Sequence, residues 1–292
     1  MASETTATTL TGGINASYID MLFSDYALDA NVMLARSRMA PVANGTGTAA
    51  FVSTTKGSAA AVTDGTGLSN TALTQANTTV TASEVGILRH VTKKGARFHV
   101  RGEAGVHAMT MEDGRKLCLE KMETDACAQW ANASTSVGTS GANLTLANLA
   151  DAVSQAAINK ARGPMFFALS TYQSRDARRA VIASSATILS FIGGASLMNK
   201  SDDTGYVGQF AGHPVYETNL APAASSDKVG VFSVDGYAKP ENAPTGCALG
   251  WMPEVEQVDT PQMPGKQIAV TACYGFGEIS DFNYVKIVTI GS

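Results

Sequence analysis

Four histidines, four cysteines and a modest set of carboxylates are the side chains of this 292-residue sequence best suited to binding metal or moving protons. His90, His99, His107 and His213 lack the i, i+4 spacing that aims two imidazoles at one ion. Cys118, Cys127, Cys247 and Cys273 form no C-x-x-C pair and have no histidine at zinc-finger spacing. Cys118 and Cys127 fall in one expected helix, where nine residues at about 100° each put them on nearly opposite sides, so reduced, mostly buried thiols are expected. Asn44-Gly45-Thr46-Gly47-Thr48 looks like a dinucleotide loop, but it follows a helix and opens a strand, the reverse of what that chemistry needs. Asp203-Thr204-Gly205 matches an aspartic-protease half-site, yet the flanks Lys200-Ser201-Asp202 and Tyr206 suit a solvated turn. There is no G-x-S-x-G elbow and no Walker loop. The chemistry-bearing residues therefore point to no catalytic site, no cofactor and no metal. A dispersed triad, which only geometry reveals, stays open as an alternative.

The elements that would position such residues are those of a large assembly-prone chain. Apolar residues make up 45% of the sequence and charged residues only 16%, which suits a surface hidden against partners. The net charge is −4 with no basic run, so no high-affinity nucleic-acid surface is expected. Met1-Ala2-Ser3-Glu4-Thr5-Thr6 does not read as a secretory signal, and the apolar stretches fall short of the roughly 20 residues that span a bilayer. A soluble, cytoplasmically made protein is the expectation.

Along the chain, Ile19, Phe23, Tyr26, Ala30, Met33 and Leu34 make one stripe of an amphipathic helix expected over 15–38 and stopped by Pro41. From Pro41 to about Glu84 the composition shifts to Thr, Ala, Gly and Ser, too polar and small for a core of its own. By composition alone the segment suits a disordered linker, but alternating runs Ala49-Phe51-Ser53 and Thr78-Val80-Ala82 flank Asp64-Gly65-Thr66-Gly67, and an extended hairpin standing away from the body fits both facts. Lys56 is the only Lys or Arg between Arg38 and Arg89; such a lysine is ordinarily a solvated charge.

Val85 to Val100 reads as β-rich, and Thr110 to Asn132 as a long helix whose carboxylates form a wet face. After a Ser/Thr/Gly linker at 133–141 come a helix over 146–160, a buried strand Met165-Phe166-Phe167-Ala168-Leu169 and a helix from Ser170 through Arg179. The last third reads as strands at 212–216, 229–232, 267–272 and 284–290, punctuated by prolines including Pro244 and Pro253.

This order resembles the tailed-bacteriophage major capsid (coat) protein family, with its Hong Kong-97-like α+β fold, over nearly the whole chain. Gly212-His213-Pro214-Val215-Tyr216-Glu217-Thr218-Asn219-Leu220-Ala221-Pro222 looks like a strand and turn of that family's axial domain, followed by Val231-Phe232-Ser233-Val234-Asp235-Gly236-Tyr237. Met165 to Arg179 is similar to its strand-then-helix unit. The resemblance implies an N-terminal arm at 1–45, an extended loop at 46–95, and a peripheral domain at 96–141 with its spine helix at about 106–133. It further implies an axial domain at 142–248 and a return to the peripheral domain at 249–292.

It also implies a non-enzymatic subunit that self-assembles into hexamers and pentamers of an icosahedral shell in the host cytoplasm and resides in the virion capsid. Such a shell encloses double-stranded DNA without sequence-specific binding and does not engage a membrane. Separate scaffolding, portal and decoration proteins are its implied partners, and the early start of the arm implies a separate scaffold or none. On the arm and loop, Phe23, Tyr26, Phe51, Lys56 and Asp64 become candidates for inter-subunit contact. An encapsulin-type nanocompartment would share the fold with a different cargo. A small hydrolase and an extracellular adhesion module are the readings from other classes, the latter opposed by the missing secretion signal.

Overall fold

In the computed structural model, residues 4–5, 32–43, 45–54, 75–99, 101–183, 205–224, 226–259 and 264–290 are described, and they build an α+β architecture around two sheets. The strands are β1 (Glu4–Thr5), β2 (Arg38–Pro41), β3 (Thr48–Thr54), β4 (Gln75–Thr81), β5 (Ser83–Thr92), β6 (Ser136–Gly138) and β7 (Met165–Ser170). They continue with β8 (Tyr206–Phe210), β9 (His213–Thr218), β10 (Ala223–Ala224), β11 (Asp227–Val234), β12 (Thr245–Asp259), β13 (Gly265–Glu278) and β14 (Tyr284–Ile290). The helices are α1 (Lys93–Phe98), α2 (Gly102–Ala128), α3 (Leu146–Ile158) and α4 (Thr171–Ala183), with 3-10 turns at Leu34–Arg36, Gln129–Asn132, Pro240–Asn242 and Asp281–Asn283. One sheet runs β1-β5-β13-β12-β2; a second, seven-stranded, follows β6-β14-β11-β7-β9-β8 with β10 beside β11; β3 and β4 pair by themselves.

The seven-stranded sheet is covered on both faces, which is why β7 is buried at every position. Phe167 and Leu169 point toward α3 and α4, against Leu149, Ala152, Ala177 and Val181. Phe166 and Ala168 point the other way, toward Ala126, Cys127 and Trp130 at the end of α2. A reciprocal cap starts α4: the Gln173 N–H donates to Ser170 Oγ (3.2 Å) and the Ser170 N–H donates to Gln173 Oε1 (3.1 Å). Gln173 Nε2 then donates to the Ile287 carbonyl (3.0 Å) and the Thr289 hydroxyl (2.9 Å), stapling α4 to β14.

Among the described residues, helix covers the five-stranded sheet on one face. Its strands β5 and β13 pair in unbroken antiparallel register from Ser83↔Tyr274 to Thr92↔Gly265. Along α2, Val106, Cys118 and Met122 lie on this sheet against Ile268, Val270 and Ala272. Gly114 lets the helix approach closely, since a Cβ there would sit 2.6 Å from Val270 Cγ2. Cys118 packs on the five-stranded sheet and Cys127 on the seven-stranded one, as their half-turn offset requires.

Several expectations are corrected. Of the helix expected over 15–38, residues 15–31 lie outside the described residues, and 32–41 form a bend, a 3-10 turn and the strand β2, which pairs parallel with Gly246–Leu249. The long helix runs from Gly102 to Ala128, about 40 Å at 1.5 Å per residue, and only a 3-10 turn carries it to Asn132. Within the expected β-rich stretch, Lys93-Lys94-Gly95 opens α1, with the Thr92 hydroxyl accepting from the Gly95 N–H (3.1 Å). The linker at 133–141 contains β6, paired with β14.

β12 was masked in the sequence by its prolines; Pro253 is tolerated because it lies in a bulge between Trp251 and Glu254. β5 is an integral strand beside β13, and β14 pairs with β11 and β6 in the seven-stranded sheet. The 3-10 turn at Asp281–Asn283 redirects the chain, and Tyr284 and Val285 then bury on opposite faces of the seven-stranded sheet.

Candidate assembly surface

The base of the β3–β4 hairpin forms because its alternation gives it one face to bury. Ala49, Phe51 and Val80 point inward and are buried, whereas Ala50, Val52, Asn77 and Thr79 are exposed. The strands pair from Thr48↔Thr81 to Thr54↔Gln75. Small residues on the five-stranded sheet receive the inward face: Phe51 reaches Gly246, Val80 covers Gly277, and Gly275 lies under Thr81, where a Cβ would be 2.0 Å from the Thr81 carbonyl oxygen. The Arg38 guanidinium lies 5.6 Å from the Phe51 ring centroid.

Beyond the hairpin base the same face of the sheet is exposed along the cross-strand rows Glu84, Cys273, Trp251; Gly86, Thr271, Glu254; and Leu88, Ala269, Glu256, and the next row runs from buried His90 through Gln267 to exposed Val258. Trp251, Leu88 and Val258 are 36%, 49% and 58% exposed, and Glu84, Glu254 and Glu256 are exposed beside them. Small residues along β13 between acidic and apolar side chains make a shallow trough that can seat an extended segment.

Residues 32–34 lie where the two sheets meet. Val32 and Met33 belong to the core under the seven-stranded sheet and Leu34 to the core under the five-stranded one. The Arg36 guanidinium lies between the rings of Tyr216 (4.0 Å) and Phe166 (4.9 Å) and faces Asp235 (3.8 Å). Glu123 of α2, fully buried, accepts the backbone N–H groups of Val32 (2.8 Å), Met33 (2.7 Å) and Leu34 (2.7 Å). Burial pushes its pKa up, opposed by those amides and by the Cys127 thiol.

Of the candidate contact residues, Phe23, Tyr26, Lys56 and Asp64 lie outside the described residues. Phe51 is 1% exposed, so its ring fastens the hairpin to its own chain. Sequence reading missed the trough, hidden in β12, and it missed Glu123, which it grouped with a wet helix face. The signal for Glu123 was its place among Leu119, Met122, Ala126 and Cys127 at helical spacing.

The histidines are dispersed: His90, His99 and His107 lie near the end of β5 and the start of α2, and His213 beside Phe167 and Phe232. Among the described residues no three His, Cys, Asp or Glu side chains converge on a metal position. Burial raises the thiol pKa of Cys118 and Cys127 and pushes that of Cys247 up to about 11, which keeps these thiols protonated and unreactive.

No family model and no curated protein sequence matches the chain. Solved structures do match it. A chain from the capsid of cyanophage P-SCSP1u aligns with a TM-score of 0.65 at 14% identity, covering 90% of this chain and 89% of that one. One from Mycobacterium phage Che8 gives 0.57 at 14% identity, covering 98% and 92%. Another, from the capsid of the native GTA particle, gives 0.60 at 11% identity, covering 89% and 90%. This chain has the Hong Kong-97-like capsid fold. At such identities what is shared is the course of the backbone.

Proposed function

We propose that this chain is the major capsid protein of a tailed bacteriophage, a structural subunit without catalytic activity. The likeness to capsid chains over about nine-tenths of its length carries this reading. The exposed apolar and acidic side chains of the trough support it, because they leave surface that the described residues do not cover.

In this reading the subunits form hexamers and pentamers of an icosahedral shell around double-stranded DNA. The arm, with Phe23 and Tyr26, and the hairpin, with Lys56 and Asp64, reach neighbouring copies, and the trough receives an extended segment of one of them. Each contact buries apolar surface and satisfies strand or side-chain polar groups. A net charge of −4 is compatible with DNA that must pack and leave without adhering. Scaffolding, portal and decoration proteins would join at stages of assembly, and the mature location is the virion.

The test is negative-stain electron microscopy with light scattering on the purified full-length chain, with and without a co-expressed scaffold. Closed shells, rings of five or six, or tubes are expected. A monodisperse monomer under both conditions would overturn the reading.

A further inference from the structure

Glu123 is a buried carboxylate with a specific load. Both its oxygens are engaged, Oε1 by Val32 and Met33 and Oε2 by Leu34, all three donors being consecutive backbone amides about ninety positions earlier in the chain. The side chain that also approaches it is the Cys127 thiol, one turn along α2 and itself fully buried, with Sγ 3.5 Å from Oε1. Removing a carboxylate from water is costly, so one retained without a cation must be stabilised by its hydrogen bonds.

Those bonds fix three successive amides at the start of a 3-10 turn, where donors would otherwise be unsatisfied. Two residues later Arg36 is fixed independently by Phe166, Tyr216 and Asp235 and by its donation to the Val32 carbonyl (2.7 Å). Backbone packing closes the far side: a Cβ on Gly236 would lie 2.0 Å from the Arg36 carbonyl oxygen.

We propose that Glu123 is a latch that clamps residues 32–34 to the long helix at the junction of the two sheets, and so sets the course of the chain from that junction into β2. The anchorage is divided. Glu123 holds the amides to α2, and Arg36 holds the same turn to the seven-stranded sheet. Releasing Glu123 frees residues 32–34 while both sheets persist. The consequence for assembly rests on the capsid reading: a fixed turn here gives every copy the same geometry at the junction of its two sheets.

The experiment is amide hydrogen exchange on the full-length chain before assembly. In the Glu123→Gln variant the side-chain NH2 opposes an amide donor, and exchange at Val32, Met33 and Leu34 is expected to accelerate at least about ten-fold. Amides of Ile268–Ala272 and Val229–Phe232 should keep their rates. Trypsin should cut after Arg36 correspondingly faster. Unchanged exchange at the three amides, or an equal acceleration in both sheets, would overturn the latch.

Arg36→Lys supplies the second arm should Glu123→Gln not fold. It loosens 35–37 and leaves 32–34 protected if Glu123 is the clamp, whereas equal loss at 32–34 would assign the hold to Arg36. These readouts need no shell, so they stand apart from the microscopy that tests the capsid reading. If shells form, those of Glu123→Gln should be heterogeneous in diameter.

Discussion

Among the described residues, the seven-stranded sheet is covered on both faces and the five-stranded sheet keeps one face partly exposed. β7 is buried at all six positions between α3 and α4 on one side and the end of α2 on the other. β12, by contrast, is exposed at most positions from Gly250 to Asp259. The two sheets share the long helix and residues 32–34, so a common frame supports one buried region and one that offers surface. Their difference predicts that substitutions in the first act on folding and substitutions in the second act on association.

The largest expected effect is in the covered sheet. Phe167 is fully buried and stacks on Phe232 at 4.3 Å between centroids, so Phe167→Ala should cost about 3–5 kcal/mol in denaturant unfolding. A loss under 1 kcal/mol would mean that this core is looser than its packing. Next comes the buried polar staple. Gln173→Ala strands the Ser170 amide and the acceptors on β14, with an expected loss of about 1–3 kcal/mol and faster exchange confined to α4.

Acid should weaken both regions by a smaller amount. Burial lowers the pKa of His107, with Lys266 adding to the effect, and burial likewise lowers that of His213 against an opposing bond from the Met165 backbone. A histidine whose folded pKa is depressed contributes stability that is full above its unfolded value of about 6.5 and is lost as pH falls through the folded pKa. The unfolding midpoint should therefore drop on acidification below about pH 6.5. A His107→Gln, His213→Gln double variant should show a shallower drop; an equally steep one would place the acid sensitivity elsewhere.

The smallest effect on the isolated chain should come from the trough. Leu88→Ser and Val258→Ser are expected to change unfolding by no more than about 0.5 kcal/mol. If the trough receives a neighbour, the same pair lowers the yield of assembled particles measured by sedimentation. Particles formed at parental yield would remove the trough from the assembly contacts.

What was legible in the sequence follows the same divide. The alternation in Tyr284–Ile290 and the run Met165–Leu169 announce strands because their buried side chains are mostly apolar and packed within their own chain. The long helix and the hairpin base were legible from period and turn residues. β12 was not, because a strand exposed along one face and bulged at Pro253 loses the regular alternation that marks a strand. Nor was the turn that begins at residues 32–34: it is imposed by a carboxylate about ninety residues away, and local helical periodicity cannot report a long-range bond. Among the contact candidates, Phe51 was found by its alternation, although its burial is within its own chain.

The edge of β12 carries a further consequence. Past Leu249, where β2 ends its pairing, no described strand lies alongside Gly250–Asp259, yet that border holds Pro253, two bulges and the charges of Glu254, Glu256 and Asp259. These are the devices by which sheets discourage strand addition and fibre growth. On the capsid reading, these devices would keep copies from polymerising edge to edge.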